Sequence, residues 1–441
     1  MSKIRRKGLL LASMCVLVWG TAKAQRSNRA GGKTKDRLKL VLILSRHGVR
    51  SPTWTQERLD GYSAQPWPKW SVPPGDLTSR GYQLIGQFGS FDRATLAAQG
   101  LFAASGCADA ANIYLWADSD QRTVATGHAI AEGLFPGCSP PLHGLAAGEI
   151  DPLFHPTAGG VKPAQADAAF AEFARLAERP HAAQQDELLE EMRQVLSGCT
   201  PGRSCLPVRM PAVSLLGTPS AGVRGKGDHI VDLRGPMAQA SSFAEDFLLE
   251  YADGMPMDQV GWGHVNEAQL RRFLALHSAY FALMHRTPAL ARLEASNLLL
   301  HITRTLQQAV LQQPDADAIG SPASKLVVLA GHDTNLAAVA ALLGLHWTLD
   351  GRNDDTPPGT ELAFELWQDD HGAYSVRLTV ASQTLHQLRT LRTLTPATPP
   401  AHAALTVPGC HAGHDTCPWE RFQKIAEAAI DTEDVVTVQR N

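Results

Sequence analysis

An α/β fold, with a mostly parallel central sheet flanked by helices and a smaller, mainly helical inserted domain, is the architecture this sequence predicts. Two observations carry it. Apolar runs at Leu40–Leu44, Asn112–Ala117 and Lys325–Ala330 each empty into a polar turn. Unbroken Leu/Val/Ile runs are what strands covered on both faces look like, and such strands sit in parallel sheets. Between residues 151 and 288 the pattern changes to helical stretches with Ala-rich and charged faces, separated by irregular Gly/Pro-rich segments.

Taken in order, the first strand leads into a stretch with Trp54, Trp67, Trp70 and four prolines up to Gly75, read as a long ordered loop. Thr78 is the expected N-cap of a helix whose stripe is Tyr82, Leu84, Ile85 and Phe88. A second strand at 112–117 precedes a helix through Leu134. The inserted helices are expected at 164–179, 184–196, 241–252 and 267–286. The strand at 325–330 is followed by a helix to Leu343, and Thr356-Pro357-Pro358-Gly359 turns into a hairpin of 361–367 and 374–382. The division is thus 37–150 with 289–441 for the α/β domain and 151–288 for the helical one.

Residues 1–24 read as a signal peptide. Lys3, Arg5, Arg6 and Lys7 form a charged start, Gly8–Gly20 is an apolar stretch short for a bilayer span, and Ala22-Lys23-Ala24 is a small-residue cleavage site. A lipid anchor at Cys15 is disfavoured by Met14, where a small residue is expected. Cleavage would leave 417 residues and, by removing five basic and no acidic ones, take the formal charge from −3 to −8. An acidic chain that handles anions must concentrate its positive charge locally, and nucleic acid is not an expected partner. The expected location is periplasmic or secreted, free of the membrane after processing.

In that compartment the six remaining cysteines favour disulfides. Fifteen pairings are possible, and proximity pairs them as Cys107–Cys138, Cys199–Cys205 and Cys410–Cys417. With His411 and His414, the last tract could instead bind zinc through two thiolates and two imidazoles, a reading that an oxidising compartment disfavours.

The chemistry lies at strand ends, where open α/β sheets bind ligands. The first strand delivers Arg46-His47-Gly48-Val49-Arg50-Ser51-Pro52. Two guanidinium groups flanking an imidazole make a cationic pocket; guanidinium forks match phosphate oxygens, and an imidazole can attack phosphorus. Any one of these arginines alone reads as a surface residue paired with an acid. Five specified positions at about 5% each, over about 440 starting points, arise by chance in roughly one sequence in ten thousand. The second strand runs into Asp118-Ser119-Asp120-Gln121-Arg122-Thr123, which sets an arginine at a helix start, where backbone N–H groups favour an anion. The strand at 325–330 delivers Gly331-His332-Asp333-Thr334-Asn335. Gly413-His414-Asp415-Thr416 repeats that tetrapeptide without a preceding strand and is read as a decoy. Neither a His-Glu-x-x-His helix nor a P-loop is present, and no cofactor or metal is expected.

The Arg46–Pro52 segment resembles the signature of the histidine acid phosphatases, the branch of the histidine phosphatase superfamily that includes bacterial periplasmic phytases. His332-Asp333 resembles that family's second hallmark, and Leu77-Thr78-Ser79-Arg80-Gly81 and the Arg122 setting are also similar. The resemblance spans about residues 37 to 430, and the three disulfides resemble bridges of the periplasmic phytases. It implies a secreted acid phosphatase acting on small phosphomonoesters, phytate among them. His47 would be the nucleophile, through a phosphohistidine, and Asp333 the general acid. Arg46, Arg50, Arg122 and His332 would bind phosphate, and Thr53, Trp54 and Glu245 would stand nearer the rest of the substrate. The family's glucose-1-phosphatase subgroup carries Asn in place of Gly48. Well-known bacterial phytases carry Lys where Trp54 stands, so the chain departs there from the residue that meets a remote phosphate of phytate. A sugar-phosphate phosphatase and a non-catalytic phospholigand-binding protein on the same fold are the alternatives, and a monomer is expected.

Overall fold

The strand Arg37–Arg46 lies inside an eight-stranded mixed sheet in a computed structural model that describes residues 36–179, 182–199, 220–226, 229–410 and 416–435. The signal segment, Cys205 and residues 413–415 of the repeated tetrapeptide lie outside the described residues. Side chains alternate across a strand. Leu40, Leu42 and Leu44 therefore enter one core, with Leu298 and Ile302. Val41 and Ile43 enter the opposite one, with Ile85 and Ile130. Both faces are covered, and this is why the run carries no polar interruption.

On one side the first strand pairs in parallel with Leu326–Gly331, with Arg46 opposite Gly331. That strand pairs in parallel with Ile113–Ala117, with Ala117 opposite Ala330, and Leu142–His143 closes this edge. On the other side come three antiparallel strands, Glu361–Gln368, Tyr374–Ser382 and Ala401–Leu405. The parallel half follows the prediction from unbroken apolar runs. The antiparallel half contains the predicted hairpin and one strand that went unpredicted: Ala-His-Ala-Ala-Leu has little β-branched or aromatic character to announce it.

Helices Ser79–Ala98 and Gln121–Leu134 cover one face. Thr78 caps the first as expected, its Oγ1 accepting from the Gly81 N–H at 2.9 Å. The two helices approach so closely that a Cβ on Gly133 would lie 2.2 Å from the Gly86 carbonyl. Helices Pro288–Leu311, Asp333–Leu342 and Trp419–Ala429 cover the other face. The 24-residue helix Pro288–Leu311 was missed by periodicity. It is buried on most of its circumference and so has no polar stripe to contrast with an apolar one.

Within 151–288 the helices are Pro163–Ala177, Ala183–Leu196, Pro236–Ala252 and Glu267–Met284. The third begins five residues before the predicted start, with Pro236 in its first turn. A core of Phe173, Leu189, Phe243, Phe247 and Phe273 unites them. Ala221–Arg224 and Val231–Arg234 form an antiparallel pair that the sequence reading did not anticipate. Disulfides join Cys107 to Cys138 and Cys410 to Cys417, each with Cα atoms 5.4 Å apart. The second bridge uses both thiols of the zinc alternative, which is thereby corrected. Among the described residues no helix is long and apolar enough to cross a membrane.

Helix Ser79–Ala98 and strand Glu361–Gln368 share an acid pair, Asp92 hydrogen-bonded to Glu361. Burial pushes the Asp92 carboxyl up to about 8. Burial, together with Asp92, holds Glu361 well above the usual carboxylate range. The folded protein keeps protons that the unfolded chain gives up from about pH 4. The pair's contribution to stability therefore falls as pH rises through the window from about 4 to about 8. Glu361→Gln should flatten the decline in melting temperature across that window; a profile parallel to that of the wild type would exclude the pair as its cause.

Candidate active site

Three neighbouring parallel strands end at the same level, and each hands over one polar residue. Arg46 lies opposite Gly331, and Ala117 opposite Ala330, so His47, His332 and Asp118 emerge side by side. The His47 N–H donates to the Gly331 carbonyl at 2.9 Å, and its carbonyl accepts from the Gly359 N–H at 3.0 Å. Segments that lie nearly three hundred positions apart in the chain are thus joined by main-chain hydrogen bonds.

The His47 side chain is 2% exposed. Its Nδ1 lies 2.9 Å from the Gly48 carbonyl, which can only accept, so Nδ1 carries the proton and Nε2 is bare. Burial, and then the charges of Arg46, Arg122 and Arg50, hold the imidazole well below its ordinary pKa. The ring stays neutral in mild acid.

Arg46 lies behind the cleft wall, 1% exposed. It bonds to Glu245 Oε1, to the Thr356 carbonyl and, at 2.8 Å, to Asp333 Oδ2. Arg50 meets Glu245 Oε2 at 3.0 Å. Burial opposes ionisation of Glu245, but the charges of Arg50 and Arg46 outweigh it and hold the carboxyl well below the usual range. Glu245 is therefore a counter-ion to two predicted phosphate ligands. Arg122, at the start of its helix, pairs with Asp120 at 2.5 Å and donates towards His332 Nδ1 at 3.5 Å.

His332 and Asp333 open the helix Asp333–Leu342. Asp333 Oδ1 accepts from the Thr334 N–H at 2.9 Å. His332 Nε2 donates to Asp118 Oδ2 at 2.6 Å, and His155 Nε2 donates to the same oxygen at 2.8 Å. Burial favours the protonated acid at Asp118, but the bonds from His155 and His332 dominate and keep it ionised.

These groups border a cleft of about 250 Å³ lined by His47, Arg50, Arg122, His155, His332 and Asp333, with His229, Met284 and His285 on the wall from the helical segment. Thr53 is exposed. Trp54 lies in an adjoining pocket that shares His229, Val231 and Met284 with the cleft. Trp54 packs against Tyr62 and Phe243, and the Arg58 guanidinium lies 3.6 Å above its ring.

Sequence reasoning missed three residues here. Asp118 stands in the sequence only as the first residue of the segment leading to Arg122; its place one residue past a buried strand is the available signal. His155 comes from a loop with no motif. His285 lies in the cleft with its Nδ1 2.9 Å from Glu294. Burial opposes its protonation, but Glu294 prevails and raises its pKa, which adds positive charge in acid.

The chain's sequence and fold resemble those of known proteins. The model of the histidine phosphatase superfamily (branch 2) matches residues 37–198 and 232–381. Phytase AppA of Escherichia coli (strain K12) is 37% identical over 415 residues, 92% of this chain and 93% of that protein. Glucose-1-phosphatase of Salmonella typhimurium is 30% identical over 400 residues, 89% of this chain and 92% of that one. Among solved structures, Hafnia alvei phytase in complex with tartrate superposes with a TM-score of 0.80 at 34% identity, over 91% of this chain and 99% of that one. Family match and strand-end geometry agree, and the chain belongs to branch 2 of the histidine phosphatase superfamily.

Proposed function

We propose that this protein is a periplasmic or secreted acid phosphatase that hydrolyses phosphomonoesters, phytate among them, through a phosphohistidine on His47. One observation carries the reading: an imidazole with a bare Nε2 and a depressed pKa shares a cleft with two arginines and an aspartate at the ends of parallel strands. Phosphoryl transfer asks chiefly for positioning and for charge at the equatorial oxygens. Arg50 and Arg122 supply that charge at the cleft surface, where His332 lines the same cleft, and Arg46 supplies it from behind. His47 Nε2 attacks phosphorus, the bond to the ester oxygen breaks, and Asp333 gives that oxygen its proton. Water then attacks the phosphohistidine and yields a proton to the Asp333 carboxylate, which releases phosphate and restores His47. The segment 151–288 acts as the smaller domain that supplies the opposite wall. The disulfides fit an oxidising compartment.

The substrate range rests on the phytases among the relatives and on Gly48, where the glucose-1-phosphatase subgroup has Asn. The 30% identical glucose-1-phosphatase keeps a sugar-phosphate preference as the second reading.

His47→Ala should abolish phosphoenzyme trapping and lower turnover by at least ~10³-fold with an unchanged circular dichroism spectrum. Trapping that survives in a folded variant would refute the nucleophile. Asp333→Asn should cost about 10²–10⁴-fold on alkyl phosphates. On p-nitrophenyl phosphate, whose leaving group needs little protonation, the loss should be far smaller; equal losses would remove the acid assignment. Phosphate release measured side by side should favour phytate over glucose 1-phosphate at acidic pH, and the reverse ranking would select the second reading.

A further inference from the structure

The three-residue cluster behind Arg122 has a composition that phosphate chemistry does not require. Asp118 Oδ2 lies 2.6 Å from His332 Nε2 and 2.8 Å from His155 Nε2. All three donor atoms lie within 4.8 Å of one another. They come from three separate segments: the end of a buried strand, a loop of the helical segment and the start of a helix. Asp120 Oδ2 is 3.7 Å from the same nitrogen of His332. Asp118 is 1% exposed, and its other oxygen, Oδ1, is buried without a hydrogen-bond partner. A buried carboxylate oxygen left unsatisfied is costly and calls for an explanation. The His155 side chain is about one-third exposed, so the cluster can be reached from the cleft.

We propose that Asp118, His155 and His332 form a binding site for a divalent transition-metal ion, Zn²⁺ above all, at the rim of the phosphate cleft. Two imidazoles and a carboxylate suit zinc rather than the all-oxygen shells of calcium or magnesium. Ligand atoms about 2.1 Å from a shared tetrahedral ion stand roughly 3.4 Å apart. The cluster reaches that spacing by opening its two hydrogen bonds by less than about 1 Å and by setting the two imidazole nitrogens, now within 4.8 Å of each other, at the same separation. The ion replaces the two Nε2 protons, which pass to Nδ1 or to solvent. Asp118 and Asp120 bring two negative charges to meet its two positive ones. Asp120 or a water completes the shell, and a phosphate oxygen from the cleft can take that place. Protons and metal compete for the same nitrogens, so affinity falls as the pH is lowered. The site stands whether or not His332 serves in phosphoryl transfer, so its failure and the failure of the phosphatase reading are separate events.

The test uses untagged, mature protein titrated with ZnCl₂ and with CoCl₂ near neutral pH. The expected result is one tight equivalent and a cobalt visible spectrum of nitrogen/oxygen coordination, both weakened by at least ~50-fold in His155→Asn. Circular dichroism and thermal melting report whether that variant has folded. Equal affinity of the folded variant and the wild type, or no stoichiometric site at neutral pH, would overturn the proposal. Should the variant not fold, anomalous diffraction at the zinc edge from wild-type crystals soaked in ZnCl₂ decides. A peak between His155 and His332 supports the site; a peak elsewhere, or none, overturns it.

Discussion

A guanidinium group sealed from water is the constraint on which this structure turns. Arg46 is 1% exposed, and a buried cation is tolerated only where fixed anions and carbonyls surround it. Here the partners come from three distant parts of the chain: Glu245 from the inserted helix Pro236–Ala252, Asp333 from the helix after the neighbouring strand, and the Thr356 carbonyl from the turn before the hairpin. Satisfying Arg46 therefore docks the helical segment on the sheet and fixes Asp333 beside the first strand. Removing either carboxylate would leave the buried guanidinium with one anion where it now has two. The fold is committed to the site's geometry before a substrate arrives.

The same charges set the chemistry. Arg46, Arg122 and Arg50 disfavour a proton on His47, after the larger effect of its burial, and a bare Nε2 is what a nucleophile needs. Arg50 and Arg46 also hold the Glu245 carboxyl ionised against its burial, so one set of fixed charges keeps the imidazole neutral and its own counter-ion charged.

Much of this was legible in the sequence because strand ends are local. An apolar run that stops at Arg-His-Gly, or at His-Asp, announces both a buried strand and the groups at its tip. That the two tips are neighbours is a tertiary fact, carried by the register of Arg46 on Gly331, although the α/β pattern made it a reasonable expectation. What stayed hidden was of two kinds. Pro288–Leu311 is buried on nearly every side, polar residues such as Ser296, Asn297 and His301 included, so burial erased the periodicity that reveals a surface helix. Asp118, His155 and Glu245 act through partners 214, 37 and 199 positions away, and no local pattern encodes such distances. Glu245 was singled out through a resemblance, and its partners then proved to be arginines of the site.

Trp54 shows how a departure at one position is absorbed by its surroundings. An indole stands there where the resemblance to bacterial phytases implies a lysine. The ring, though, is packed by Tyr62 and Phe243 and covered by the Arg58 guanidinium at 3.6 Å. A cation held over an aromatic face is attracted by the ring's quadrupole and loses freedom without losing charge. Arg58 and Trp54 line the pocket next to the cleft together with Arg224, Lys226 and Arg234. The wall thus keeps its positive sign, carried on a fork-shaped donor in place of a point charge. Absence of a lysine at position 54 therefore does not leave this pocket without cations.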